Sequence, residues 1–191
     1  MPRDFINPTA TQLKALSHPV RLRMLSTLRR EGSATATTLA QALGLNTGAT
    51  SYHLRQLATH GWIEDDEGRG NGRERWWRAT AASTRTDLHE PDSDARDVND
   101  AYLQSVVTVY SEQMQHSIEE RALLPDRWRR ATTYSDWGPR LNPDQARALL
   151  DHIDEWLTNL PEADADDPEA ATFVVNVNAF PQPGTVTEDP S

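Results

Sequence analysis

The stretch from Gly44 to Ile63 constrains the fold more than any other, because Gly-Leu-Asn-Thr-Gly-Ala-Thr-Ser-Tyr-His-Leu-Arg-Gln-Leu-Ala-Thr-His-Gly-Trp-Ile spells a turn, a helix and a strand in succession. Asn46 can cap the helix with its side-chain oxygen, and Gly61 stops it. Thr50, Leu54, Leu57 and Ala58 recur at helical spacing and form one inward stripe. The helix predicted over 46–60 therefore keeps small and polar side chains on its outer face. Thr47, Gly48, Ser51, Tyr52 and Arg55 point away from the stripe, at an end that a nucleic-acid major groove about 12 Å wide would admit.

The surroundings extend the pattern. Thr35 can cap a short helix carrying Leu39, Ala40 and Leu43, and Gly44 permits a tight turn into the next one, giving a helix-turn-helix. Asn7 before Pro8 reads as an earlier helix start that turns Leu13 and Leu16 inward. Pro19 suits the first turn of a further helix with Leu22, Met24, Leu25 and Leu28, ended by Gly32. Downstream, 62–65 and 74–79 read as two strands joined by the Gly-rich, basic tip Glu67-Gly-Arg-Gly-Asn-Gly-Arg73, a hairpin wing.

Residues from about Leu13 to Thr80 resemble the ArsR-type winged helix-turn-helix regulators of bacteria. The resemblance is carried by Leu16-Ser-His-Pro-Val-Arg-Leu22, Leu39-Ala40, Ser51-Tyr-His-Leu-Arg-Gln-Leu57 and Gly61-Trp-Ile63, in that order and spacing. It implies a homodimeric, DNA-binding transcription regulator, commonly a repressor released by a small ligand or metal. The second helix of the pair would lie in the major groove, with Thr47, Gly48, Ser51 and Tyr52 at the family's contact positions. The competing expectation is a protein-interaction module that uses the winged helix as a scaffold and docks a partner through its C-terminal half.

Charge is unevenly divided. The net −10 would oppose a polyanion partner, yet residues 1–85 hold twelve Lys and Arg against seven Asp and Glu, leaving +5, while residues 86–191 hold seven against twenty-two, leaving −15. Screening over about 8 Å at physiological salt lets the local basic surface govern phosphate contact, provided the acidic half faces away. Without cysteine there is no disulfide and no thiolate cluster of the kind many ArsR-type sensors use. No apolar run approaches the roughly 20 residues that span a bilayer, and the N-terminus lacks a signal-peptide core, so a cytoplasmic protein is expected.

The fold expected is α+β. Residues 1–85 form the winged helix-turn-helix, 86–93 a connector, 94–180 a dimerisation region that could house an unknown small-molecule effector, and 181–191 a disordered tail. From Asp94, the residues Val98, Tyr102, Leu103, Val106, Val107, Tyr110, Met114, Ile118 and Ala122 describe a wide apolar stripe on one long helix ending before Pro125. A two-fold partner or the C-terminal segment must cover it. A partner would also set two reading helices one DNA turn, ~34 Å, apart. Beyond lies a small strand-helix-strand region: 131–137 as a strand, a helix starting at Asn142-Pro-Asp144, and 172–180 alternating as a half-buried strand.

Candidate chemistry concentrates in the N-terminal half. Arg69, Arg73 and Arg75, with Arg78 beside them, place cations in the wing, where Glu64, Asp65, Asp66, Glu67 and Glu74 partly neutralise them. Arg21, Arg23, Arg29 and Arg30 could line a DNA backbone from the first helices. His18 reads as a cap substitute, and His53 as a flank contact or a packed ring. His116 with Glu119 and His152 with Glu155 have a spacing metals can use, but two ligands do not make a site, so neither metal nor cofactor is expected. With no phosphate-binding Gly loop, nucleophile elbow or Cys-His pair, no enzyme is expected either. The tryptophans Trp76, Trp77, Trp128, Trp137 and Trp156 are expected in packing, with an aromatic effector pocket as the alternative.

Overall fold

Helix caps decide how the first third of the chain is cut into elements. The computed structural model describes residues 5–69, 74–86, 93–164 and 166–186. A short strand, β1 (Phe5–Ile6), precedes helix α1 (Ala10–Leu16). The cap of α1 is Thr9 and not Asn7: the Thr9 hydroxyl accepts from the Gln12 N–H at 3.4 Å, and the Gln12 side-chain oxygen accepts from the Thr9 N–H at 3.0 Å. This reciprocal pair satisfies two orphan donors where Asn7 would satisfy one. Helix α2 (Pro19–Glu31) has Pro19 in its first turn and His18 as its cap, Nδ1 accepting the Val20 N–H at 3.2 Å.

A strand of two residues, β2 (Ala34–Thr35), leads into α3 (Ala36–Leu43), and the Thr35 hydroxyl accepts from the Thr38 N–H at 3.1 Å. Gly44 leaves α3 at φ 64°, a left-handed turn that a side chain would strain, and the chain enters α4 (Thr47–Thr59) at once. Strands β3 (Ile63–Asp65) and β4 (Trp76–Ala79) form the antiparallel wing, and β2 pairs with the other edge of β4, so the sheet order is β2-β4-β3. Farther on, β5 (Ser83–Thr84) lies parallel to β1.

The core gathers under this sheet and the helix pair. Leu13, Leu16, Met24, Leu25, Leu39, Leu54, Leu57, Trp62, Ile63 and Trp77 are buried together, and Tyr102, Val106 and Val109 of α5 (Ser93–Glu120) close it from outside. The Trp62 indole N–H, taken out of water, donates to the Gln12 carbonyl at 3.0 Å. Helix α5 therefore does not carry one continuous stripe. Tyr102, Val106 and Val109 pack on α1 and α2, whereas Leu103, Val107, Met114 and Ile118 form a second apolar face turned outward. A 3-10 turn, Arg121–Leu123, completes the helical run before Pro125.

The C-terminal region departs from expectation. Helix α6 (Asp126–Ala131) occupies the start of the segment read as a strand, and neither 132–137 nor 172–180 joins a sheet. Helix α7 (Pro143–Thr158) forms as expected, with Asn142 and Gln145 capping each other. Alternation marks a segment that can pair, but pairing needs an edge, and none meets 172–180: Phe173, Val175 and Val177 stay about half exposed. The Phe173 ring instead stacks on Trp128, centroids 6.2 Å apart. An Arg85–Asp154 ion pair ties α7 to the N-terminal half. Most of the connector (87–92), the wing tip (70–73) and the end of the tail (187–191) lie outside the described residues. The architecture is thus α+β, a winged helix-turn-helix followed by a long helix and a mainly helical C-terminal region.

Candidate nucleic-acid interface

Helix α4 is held rigidly by its inner face. Thr50, Leu54 and Leu57 are fully buried, and the Asn46 side-chain oxygen accepts from the Ala49 N–H at 2.8 Å at the opening turn. The Thr50 hydroxyl donates to the Asn46 carbonyl at 3.0 Å, so the one polar member of the buried stripe is satisfied. On the other side Thr47, Gly48, Tyr52 and Arg55 are exposed and Ser51 is half-buried. Arg55 makes no ion pair among the described residues. A Cβ built on Gly48 would stand 3.4 Å from Asn46 Oδ1, so the protein itself has room for a small side chain there.

The wing and α3 turn this face into a groove. Thr47, Ser51 and Arg55 share it with Arg75, and its other walls are Thr35, Thr37, Glu74 and Trp77. Thr37 is not among the residues singled out from the sequence, and Glu74, expected there only as an acid neutralising the wing arginines, is a wall of the groove. Thr37 follows the Thr35 cap by two residues, which could have pointed to it, and Glu74 adjoins Arg75 in the chain. Gly48 and Tyr52 stand on the same helix face beyond the groove. Arg69 lies at the far turn of the hairpin, and Arg73 is outside the described residues.

Each described arginine of the wing has an acid beside it. Arg75 Nε lies 2.5 Å from Asp65 and its guanidinium sits 4.2 Å over the Trp77 ring. Arg78 pairs with Glu64 at 2.8 Å, and Arg69 with Asp66 at 3.8 Å. Of the helix arginines, Arg21 donates to the carbonyls of Ala15 and Lys14, Arg23 pairs with Glu112 at 2.5 Å, and Arg29 donates to the Ala81 carbonyl at 2.9 Å. These three are engaged inside the protein, which leaves only Arg30 of that group as an exposed cation.

His53 is a packed ring. Its centroid lies 4.7 Å from that of His18 and 5.4 Å from that of Tyr52, so a row of three rings joins the start of α2 to the outer face of α4. Burial, chiefly, pushes both imidazoles below their ordinary range, with the nearby Arg21 cation acting in the same direction. His53 Nδ1 is buried without a hydrogen-bond partner among the described residues. Trp62 and Trp77 serve the core, while Trp137 and Trp156 are largely exposed. Among the described residues no group of three or more His, Cys, Asp or Glu could hold a metal ion; Glu119 accepts instead from Gln115 at 3.0 Å.

A family model described as a helix-turn-helix domain matches residues 16–65, from the last residue of α1 to the last of β3. The transcriptional repressor BigR from Xylella fastidiosa is 32% identical over a match covering 49% of this chain and 82% of BigR, with a TM-score of 0.33. Residues 16–65 are thus similar to a helix-turn-helix domain family. A winged helix-turn-helix DNA-binding domain from Mycobacterium bovis, described as homodimeric and as "a possible ArsR-family transcriptional regulator", is 26% identical, covers 56% of this chain and 82% of its own, and has a TM-score of 0.33. No protein with a curated description matches. Among the described residues no helix is long and apolar enough to cross a membrane.

Proposed function

We propose that the protein is a cytoplasmic homodimeric repressor that seats α4 of each protomer in successive major grooves of a two-fold symmetric operator. The observation that carries this reading is the contrast on α4: an inner face fixed by Thr50, Leu54 and Leu57 and an outer face on which Thr47, Gly48 and Tyr52 are exposed and Ser51 is half-buried in the groove. Pre-positioned donors of this kind read base edges at little conformational cost. Arg55, Arg75, Arg69 and Arg73 are assigned to the flanking phosphates.

The dimer reading rests on the outward face of α5. Leu103, Val107, Met114 and Ile118 align along it over four turns, and a second copy applied across a two-fold axis would bury them against themselves. Selection of bound fragments from a genomic library, followed by gel-shift competition with scrambled duplex, tests the whole proposal. Ser51→Ala or Tyr52→Ala should reduce discrimination by about 1–3 kcal/mol with the fold intact. Equal affinity of the unaltered protein for selected and scrambled duplexes refutes it.

A further inference from the structure

Three rings join the outer face of α4 to the start of α2, and two of them can take up a proton. His53 lies between its neighbour Tyr52, centroids 5.4 Å apart with the planes at 65°, and His18, centroids 4.7 Å apart with the planes at 55°. Each imidazole sits where the neutral form fits and the charged form does not. His18 Nδ1 accepts the Val20 N–H at 3.2 Å, which needs a bare lone pair, so the neutral ring carries its proton on Nε2. A proton on Nδ1 would set an N–H against an N–H at the positive end of the α2 dipole. His53 Nδ1 is buried without a hydrogen-bond partner among the described residues, so a charged ring would carry a buried donor with nothing to receive it.

The charges around the pair give a proton no support. Arg21 of α2, its guanidinium held by the carbonyls of Ala15 and Lys14, is the one charged side chain that acts on either ring among the described residues, and it opposes a second cation. Lys14 on α1, Arg55 on α4, and Asp97 and Asp100 on α5 contribute nothing to the pair. No carboxylate therefore offsets an imidazolium at this place. A protonated His53 must turn its Nδ1 toward water, and that turn displaces the ring packed edge-on against it. Tyr52 is 52% exposed, so little protein resists its movement.

We propose that His18 and His53 are positioning residues for Tyr52: the neutral pair holds the phenol where base edges are read, and a proton taken up by the pair withdraws it, so operator recognition weakens in acid. The consequence for recognition rests on the operator-binding reading; the coupling among the rings does not.

The first measurement uses the full chain without DNA. Proton and carbon NMR follows the rings of His18, His53 and Tyr52 from about pH 7.5 to about pH 5, with Tyr52 assigned by Tyr52→Phe; phenols ordinarily titrate near about 10, so an uncoupled Tyr52 ring is flat over this range. The expected result is a Tyr52 shift that follows the imidazole titration and shrinks about threefold or more in His53→Gln, whose side chain takes no proton. His18→Asn, which keeps a neutral cap on α2, should move the midpoint of that shift to higher pH, because His18 no longer opposes a proton on His53. Thermal unfolding checks both variants, and if His53→Gln is unfolded, the midpoint in His18→Asn carries the comparison. A Tyr52 ring that does not respond, or that responds alike in the folded variants and the parent, overturns the proposal. The second measurement is fluorescence anisotropy with a selected operator and a scrambled duplex at fixed ionic strength. The ratio of the two affinities should fall about fivefold or more between about pH 7.5 and about pH 5.5 in the parent and stay within about twofold in His53→Gln. A ratio unaffected by pH in a parent protein that discriminates and stays folded also overturns the proposal. A parent that binds both duplexes equally at the higher pH refutes the operator reading instead, and the titration without DNA then decides the coupling by itself.

Discussion

Val107 and Val109 stand two residues apart on α5 and answer to different partners, so the same substitution should produce two different losses. Val109 is 1% exposed against α1 and α2, whereas Val107 is 60% exposed in the protomer. Val109→Ala removes buried carbons and leaves a cavity, and should lower the stability of the protomer by about 2 kcal/mol. Val107→Ala removes carbons that water already reaches, so its folding cost should stay within about 0.5 kcal/mol. Its effect should appear in association. Two carbons at about 0.8 kcal/mol each, scaled by the exposed 60%, give about 1 kcal/mol per protomer. Symmetry doubles this to about 2 kcal/mol, or roughly a thirtyfold weaker dimer.

Sedimentation equilibrium reads the association, and urea unfolding of dilute protein reads the protomer. Two results would refute the reasoning. If Val107→Ala leaves the dissociation constant unchanged, the outward face of α5 is not the two-fold interface. If it destabilises the dilute protomer as much as Val109→Ala does, the helix does not divide into two faces.

Other expectations are independent of the dimer. Gly48→Ala should stabilise the fold by up to about 1 kcal/mol, since Ala favours helix and the new Cβ has room, yet weaken operator binding by crowding the groove; unchanged operator affinity in a gel shift counts against contact there. His18 and His53 are held below their ordinary 6.5 in the folded chain, mainly by burial, so as pH falls through about 6.5 the unfolded chain takes up protons first and stability should drop. Urea midpoints at about pH 7.5 and about pH 5.5 check the sign, which a rise at the lower pH would reverse, and His53→Gln should flatten the dependence. Asp65→Asn releases Arg75 from its ion pair and should tighten binding to all duplexes while steepening the salt dependence in fluorescence anisotropy; an unchanged slope places Arg75 away from the phosphates.

Local chemistry made the helix-turn-helix readable. Asn46, Thr35 and His18 cap within three residues of themselves, and Gly44 turns the chain by its own φ, so each boundary is written where it acts. Thr50, Leu54 and Leu57 show the buried side of α4 and, by subtraction, the open one. Strand β2 was invisible because two residues have no period. Spacing alone merges the two faces of α5, because it reveals how wide an apolar arc is, not which sector packs on α1 and which stays exposed. The 172–180 segment misled for a related reason: alternation reports the capacity to pair, and only the assembled chain decides whether an edge is present. The acids beside the wing arginines were readable as neighbours in sequence, while Ala81 and Glu112, the partners of Arg29 and Arg23, are far away along the chain.

The pairing of wing cations with acids bears on how the protein would discriminate among duplexes. At a distance each pair is nearly neutral, and the C-terminal half contributes −15, so long-range attraction to arbitrary DNA is weak. At contact the situation changes. Exposed ion pairs are worth only about 0–1 kcal/mol, so a phosphate can displace Asp65 or Asp66 from its arginine at small cost. On the proposed operator-binding reading, the wing cations would become available mainly once α4 has docked in register, and contacts to base edges would then decide whether docking persists. Weak non-specific attraction combined with base contacts worth about 1–3 kcal/mol each widens the ratio between operator and background, which matters more than absolute affinity when competing sites are abundant.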